Sequence, residues 1–284
     1  MTHLSTDHSA TSTEQVTTLA TQEARYRWMR WVGTVLPALV AFMIFLLIWQ
    51  AIVRVFEIKS YFLPSPIEVA SAGWRIRNEL AGAVWLTSRA AIGGFTLSVI
   101  FGCLVSLLFA QFRVVRLGCF PYAVLLQTVP IVAIAPLVIN WNGAGLGSVI
   151  VISFVVSVFP IIANVTAGLT SVDPRLVELF RMCGASRWQE AFKLRVPHAV
   201  ADLVTGARTS AGLAVIGAIV GEFFAGNATD QHGLGFLVPQ RIHWLKTDEA
   251  FAAVAAATAL GVAMFSAVGW LKATVLERWC DAQS

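Results

Sequence analysis

The sequence predicts an all-α integral membrane protein with about six transmembrane helices. Of its 284 residues, 57% are hydrophobic and 13% are charged, whereas a soluble domain carries about 25% charged residues. Several stretches lack charge over the roughly 20 residues that a helix needs to cross a bilayer. A charged segment typical of soluble proteins lies between two of these stretches. The chain therefore divides into membrane spans and one long polar interruption.

The positions of charges and turns define six spans. The 56 residues from Leu117 to Val172 contain no charge, which is too long for one crossing. The run NWNGAGLG at 140–147 is rich in the turn-forming residues Asn and Gly and divides this stretch in two. The predicted spans lie near 31–53, 86–112, 118–139, 147–169, 204–226 and 250–271. They form a transmembrane domain over 25–280, and a polar tail over 1–24 precedes it and is expected to be disordered.

Basic residues predict the orientation of the spans. With six spans, both termini fall on the same side of the membrane. If that side is the cytoplasm, thirteen of the twenty Lys and Arg lie on it, as expected from the positive-inside rule. The short basic clusters favour topology signals over a nucleic-acid surface. In the first outer loop, Ser65 and Pro66 of the run LPSPIEV are expected to open a short surface helix.

The charged segment at 173–197 has the signals of two short helices around an elbow. Asp173 is a good N-cap, and Pro174 suits the first position of a helix. Gly184 suits the left-handed residue that closes a helix. The first helix is therefore expected to end just before Gly184.

A second helix is predicted to start directly after the elbow. Ser186 and Gln189 have the spacing of a capping box, and Pro197 is expected to disturb or end the helix that follows. A mere linker does not need such signals. A docking element does, because a preorganised shape lowers the entropy cost of binding.

These residues resemble the EAA loop of ABC-transporter permeases. In that family the pattern is Glu-Ala-Ala, three residues and Gly, with a later Pro; this chain keeps Glu178, Gly184 and Pro197 and has Leu179 and Phe180 in place of the two alanines. The runs LPSPIEV, SVDPRLVE, GASRW and HGLGF resemble the importer permeases for nitrate, taurine, alkanesulfonates, bicarbonate and thiamine-pyrimidine precursors. The run TVPIVAIAPLVINWNGAGLG also resembles that subfamily, with Asn142 in place of its usual Phe.

The resemblance implies the type I ABC importer permease fold in a bacterial inner membrane. It implies a homodimer of permeases, two cytoplasmic ATPase subunits and an extracytoplasmic solute-binding protein. The chain has no GxxxxGK[ST] phosphate loop and no metal-ligand spacing, so it should bind no cofactor itself. ATP and Mg belong to the ATPase, and the membrane lipid is the remaining partner; no nucleic acid is implied.

The elbow is the first candidate site. A coupling helix would meet the ATPase through seven residues: Glu178, Arg181, Gly184, Ala185, Ser186, Arg187 and Pro197. The alternative for this segment is an ordinary solvated loop.

The second candidate site is a translocation path along spans three to five, facing the partner permease. Its expected residues are Gln127, Thr128, Pro130, Asn140 and Glu222. Prolines inside span three free backbone carbonyls, which need a polar partner or a water-lined cavity. An ionisable group within a span indicates a path or a buried partner, although Glu222 could also be a residue that reaches the membrane interface. Gly217 and Gly221 allow close helix approach, either inside the chain or at the dimer seam.

Two other classes of function fit the sequence less well. An ATP-independent channel or secondary carrier would need intramembrane charges to couple ions and would leave the capped elbow without a purpose. An intramembrane enzyme would need a clustered nucleophile and base, but the predicted spans contain no His, and Glu222 stands alone near the end of its span. An ABC importer permease subunit that binds no nucleotide is therefore the favoured interpretation.

Overall fold

The computed structural model describes residues 36–225 and 232–280, with only the backbone described for Leu126 and for 271–280. The predicted tail over 1–24 and the start of the first predicted span lie outside the described residues. All secondary structure in the described part is helical. Within it, five helices are long and apolar enough to cross a membrane.

The helices are numbered in chain order. They are α1 (Leu36–Val55), α2 (Pro66–Arg75), α3 (Arg77–Gln111), α4 (Arg113–Thr128), α5 (Ile131–Asn142), α6 (Leu146–Thr170), α7 (Pro174–Met182), α8 (Arg187–Glu190), a π-helical segment (Ala191–Arg195), α9 (Val196–Ala225), α10 (Leu234–His243) and α11 (Thr247–Cys280).

The centre of the fold is the packing of α3, α6 and α9, which is close because small residues face one another. A Cβ added at Gly217 of α9 would lie 2.7 Å from the Cα of Ser153 in α6, and one at Gly221 would lie 3.1 Å from the Cα of Val149. Small residues let helix backbones approach within a membrane. Of the two alternatives for the Gly217–Gly221 step, the structure therefore shows packing inside the chain.

Serine hydroxyls hold the same three helices together inside the apolar core. Ser153 donates to the carbonyl of Ala214 in α9 at 2.8 Å, and Ser210 of α9 donates to the carbonyl of Ser157 at 2.6 Å. The hydroxyls of Ser98 in α3 and Ser157 in α6 lie 2.7 Å apart. All of these side chains are buried, so their hydrogen bonds satisfy polar groups that water cannot reach.

The predicted third span is not one helix. It consists of α4 and α5, which are separated at Val129 and Pro130. Pro130 has no N–H to continue the ladder, and the residue before a proline is pushed towards extended backbone; Val129 has φ −71° and ψ 125°. Neither α4 nor α5 is long enough to count among the five long apolar helices. Helix α3 is longer than the second predicted span, near 86–112, because it already begins at Arg77.

The predicted surface helix in the first loop is present as α2. The Ser65 hydroxyl accepts from the N–H of Glu68 at 3.4 Å, and the Glu68 carboxylate accepts from the N–H of Ser65 at 2.7 Å, which completes a capping box. The Ser60 hydroxyl also donates to this carboxylate at 2.7 Å. These bonds, that from Ser60 first, lower the pKa of Glu68 below its ordinary value. The charged form of Glu68 therefore fixes the start of α2.

Ion pairs join the ends of α2, α10 and α11. Arg75 of α2 donates to Asp248 of α11 at 2.7 Å. Arg241 of α10 is buried and pairs with Glu249 of α11 at 3.3 Å and with Glu79 of α3. Because removing one partner leaves a buried charge uncompensated, this cluster fixes the ends of these three helices and the start of α3 relative to one another.

Candidate functional site

The first helix of the charged segment is capped as predicted. The Asp173 side chain accepts from the N–H of Arg175 at 2.9 Å, and Pro174 occupies the first position of α7. Gly184 follows the end of this helix with φ +76°. Its N–H donates to the carbonyl of Arg181 at 3.0 Å, and the N–H of Ala185 reaches back to Phe180 at 3.0 Å. These bonds satisfy carbonyls that the helix end would leave free.

The second helix begins with the predicted capping box but does not end as a separate short helix. The Gln189 N–H donates to the Ser186 hydroxyl at 3.3 Å, and the Ser186 N–H donates to the Gln189 side chain at 2.8 Å. The chain then passes through the π-helical turn Ala191–Arg195 straight into α9. The ring of Pro197 would crowd the carbonyl four residues earlier in a regular helix. The wider turn accommodates it, so this helix is continuous with α9 and forms with it the fourth of the five long apolar helices.

A buried carboxylate holds the elbow against the membrane domain. Glu190 is buried and accepts from the Nη2 of Arg195 at 2.5 Å and from the Nε of Arg181 at 3.2 Å. Arg195 also donates to the carbonyl of Leu169 at the end of α6, at 3.1 Å. Arg181, expected among the coupling residues, therefore pairs within the chain. Sequence analysis missed both Glu190 and Arg195.

The spacing of Glu190 and Arg195 explains why they were missed. Residues five apart lie about 140° apart around a regular α-helix, so they do not face one another. The π-helical turn has i to i+5 hydrogen bonds and places them on one face. A proline two residues after Arg195 was the available sequence signal for an irregular turn.

The outer face of the elbow is exposed and partly apolar. Met182 is 86% exposed and Trp188 is 67% exposed. The Trp188 ring stacks on Phe192, with ring centroids 5.9 Å apart. Glu178 and Arg187 are also exposed, and neither has an ion-pair partner in the part of the chain that the structure describes. We refer to residues 173–197 as the coupling hairpin.

The structure separates the expected path residues into two places. Gln127, Thr128 and Pro130 lie at the α4–α5 break, and Asn140 lies near the end of α5; all four are exposed on the single chain. Glu222 instead lies buried in α9, and its hydrogen-bond partners belong to α3 and α10.

Glu222 holds the beginning of α10. One carboxylate oxygen, Oε2, accepts from the N–H of Gly235 at 2.9 Å and from the hydroxyl of Thr87 at 2.9 Å. The same hydroxyl oxygen accepts from the N–H of Leu234 at 3.0 Å. Gly233 and Gly235 have no room for a Cβ, because Glu222 and the backbone of α9 lie against them. The run HGLGF therefore brings the N–H of Gly235 to a buried carboxylate and the N–H of Leu234 to the neighbouring Thr87 hydroxyl. No hydrogen bond links Glu222 to Arg208 among the described residues.

These features define an all-helical membrane subunit with a capped polar hairpin between two of its long helices. Residues 94–279 match the family described as binding-protein-dependent transport system inner membrane component. The chain therefore belongs to this family and is the permease subunit of an ABC importer for a small solute.

Relatives and one solved structure agree with this assignment. The chain is 33% identical over 253 residues to the riboflavin transport system permease protein RibX of Chloroflexus aurantiacus, covering 88% of this chain and 91% of the relative. It is 31% identical over 243 residues to the formylaminopyrimidine transport permease protein ThiX of Halalkalibacterium halodurans, covering 85% and 95%. An inward-facing structure of the MetNI methionine ABC transporter matches the fold with a TM-score of 0.59 and 19% identity, covering 72% of this chain and 97% of that chain.

Proposed function

We propose that the coupling hairpin is the docking surface for a cytoplasmic ATPase, and that two copies of this chain form the translocation path between two such ATPases. The observation that carries the proposal is the contrast between the two faces of the hairpin. Its inner face is anchored through buried Glu190, whereas Met182 and Trp188 are exposed on its outer face. Exposed aromatic and Met side chains on a polar segment are typical of a protein interface. ATP and Mg would bind to the ATPase.

Uptake measurements test this coupling role. Gly184→Asp and Arg187→Glu should each abolish ATP-dependent uptake in vesicles and co-purification with the ATPase, while the variants still insert. Gly118→Ala is a matched control, because Gly118 is exposed in α4 and a Cβ there meets nothing. Normal uptake by both hairpin variants would contradict the docking role.

The proposed orientation places the hairpin and both termini in the cytoplasm, supported by the excess of Lys and Arg on that side. Cys183 is exposed within the hairpin and provides a direct test. A variant with Cys183 as its only cysteine should react with a membrane-impermeant maleimide in inverted vesicles but not in intact cells. Reaction in intact cells would place the hairpin outside and contradict both the orientation and the docking role.

For the cargo, we favour a flat heteroaromatic solute delivered by a solute-binding protein. The support is that relatives above 30% identity carry riboflavin and formylaminopyrimidine in their names. An aliphatic sulfonate is the second candidate, since a Bacillus subtilis relative with 28% identity carries that name. Separate measurements of radiolabelled riboflavin uptake and radiolabelled alkanesulfonate uptake would distinguish the two; uptake of the sulfonate alone would reject the first.

The path itself is proposed to run along the α4–α5 break. Gln127, Thr128, Pro130 and Asn140 supply polar groups and a free carbonyl on an exposed face that a second copy can cover. Glu222 would act indirectly, as a positioning residue for α10. A Gln127→Ala variant should change the KM for uptake, whereas a Glu222→Gln variant should leave it unchanged. The reverse result would place Glu222 in the path.

A further inference from the structure

A recess with a large excess of positive charge lies where α3 meets α4, beside the coupling hairpin. Its volume is about 740 Å³. Four arginines line it, Arg113, Arg181, Arg187 and Arg195, together with one carboxylate, Glu190. Four guanidinium groups against one carboxylate leave three uncompensated positive charges around one small cavity.

The ion pairs of the hairpin do not neutralise this recess. Arg181 and Arg195 share Glu190. Arg113 and Arg187 are exposed and have no carboxylate within ion-pair distance over residues 36–225 and 232–270. Two guanidinium groups are therefore free to bind a ligand, and a guanidinium is well shaped for two parallel hydrogen bonds to a phosphate.

The start of α4 adds backbone donors to the same recess. Phe112 occupies the N-cap position and has no side-chain acceptor, so no side chain caps the first N–H groups of this 16-residue helix. Arg113, Val114 and Val115, the first three residues of α4, all line the recess. A helix N-terminus favours anions through these donors and through its dipole. Arginines and helix terminus thus favour the same class of ligand.

The surroundings of the recess favour a lipid as the source of this anion. Val114 is 84% exposed, and Phe112 and Leu117 are more than half exposed. Arginines beside exposed apolar side chains are typical of the membrane interface, where the stem contacts acyl chains and the charge lies at headgroup depth. Basic pockets of this kind on the cytoplasmic side bind acidic headgroups.

We propose that this recess binds the phosphate headgroup of an acidic phospholipid beside the coupling hairpin. The assignment to the cytoplasmic leaflet rests on the orientation under the proposed function, whereas the binding chemistry does not. A bound headgroup would neutralise Arg113 and fix the α3–α4 junction against the hairpin.

The test compares two neighbouring arginines of α4. Arg113 lines the recess, whereas Arg116, one turn further, does not. The full-length chain and the variants Arg113→Gln and Arg116→Gln are purified with equal amounts of phosphatidylglycerol and phosphatidylcholine, and retained lipid is measured by native mass spectrometry. Arg113→Gln should lower phosphatidylglycerol retention about fivefold, the effect of one basic residue near an anionic surface, and Arg116→Gln should leave it nearly unchanged. Thermal unfolding of both variants verifies that they fold.

Further measurements distinguish the possible ligands of the recess. If millimolar inorganic phosphate raises the unfolding temperature of the wild type but not of Arg113→Gln, and no lipid preference is seen, the site binds a free anion of the same chemistry. Equal lipid loss in both variants, or binding of neither probe, would overturn the proposal. So would an Arg113→Gln variant that retains lipid but loses the ATPase, because the arginines would then serve the protein partner. The lipid measurement needs no ATPase, so the docking role can fail independently.

Discussion

The clearest quantitative prediction concerns the pair Glu190 and Arg195. Glu190 is 6% exposed, the Arg195 side chain is 19% exposed, and the two lie 2.5 Å apart. Replacing one partner of a buried ion pair costs about 3 to 5 kcal/mol because the other charge stays buried. Since water reaches part of Arg195, we expect Glu190→Met to cost about 3 kcal/mol. Arg195→Met leaves Glu190 with Arg181 as its remaining partner but also leaves the Leu169 carbonyl without its donor, so we expect a similar cost of about 3 kcal/mol.

The double variant Glu190→Met/Arg195→Met is expected to be more stable than either single variant. It removes both charges together, and apolar side chains of similar volume replace a buried pair at little cost. The remaining loss is about 1 to 2 kcal/mol, mainly from the Leu169 carbonyl. Glu178→Met is the matched control, because Glu178 is exposed in the same hairpin and its replacement should change stability by less than about 0.5 kcal/mol.

Amide hydrogen exchange measures this effect locally. A loss of 3 kcal/mol raises the open population of the hairpin about hundredfold. Exchange at 187–199 should therefore accelerate by about that factor in Glu190→Met and by about tenfold in the double variant, with exchange in α6 and α3 much less changed. If the costs of the two single variants simply add in the double variant, the two charges do not interact. That result would refute the anchoring role of Glu190.

Substitutions at three further positions, two of them with a control variant, test the geometry elsewhere by thermal unfolding of the purified chain. Gly184→Ala forces a side chain to φ +76° and should cost about 1 kcal/mol, whereas Gly212→Ala, in an open helical position, should be neutral or stabilising; equal effects would contradict the left-handed role. Gly217→Val should cost at least 2 kcal/mol because it pushes α9 away from α6, and wild-type stability would mean that the helices are not in close contact. Glu222→Ala leaves the Gly235 N–H unsatisfied and should cost about 2 to 4 kcal/mol, whereas Glu222→Gln keeps an acceptor and should cost less than 1 kcal/mol; equal losses would show that the charge matters more than the hydrogen bonds.

Local sequence signals predicted the coupling hairpin well because capping acts over a few residues. An N-cap side chain reaches an N–H two or three positions away, and a left-handed glycine closes the helix that directly precedes it. Asp173, Gly184 and Ser186 therefore contain most of the information for their own conformations. Whether the hairpin binds an ATPase depends on a surface that no local rule describes, so this role stays a prediction.

Prolines were harder to interpret, because the same residue type has opposite outcomes in neighbouring helices. Pro130 separates α4 from α5, whereas Pro136 lies inside α5 and Pro160 inside α6 without ending them. The local cost of a proline is similar in each case. For Pro160, close packing of α6 on both α3 and α9 holds the two halves of the helix in line. Pro136 is exposed like Pro130, and packing against other helices does not explain why α5 continues through it.

The role of a buried charge depends on partners that lie far from it in the chain. A single sequence contains little information about such partners. Glu222 stood out as an ionisable group in an apolar helix, which indicated either a path or a buried partner. Its partners, Thr87 and the N–H of Gly235, lie 135 residues before it and 13 residues after it in the chain. The signal that could have identified them is the glycine pair in HGLGF, since two glycines around one residue allow a backbone N–H to approach a carboxylate closely. The carboxylate and the glycines thus belong to one structural feature, and its hydrogen bonds explain how a polar residue can be buried within an apolar helix.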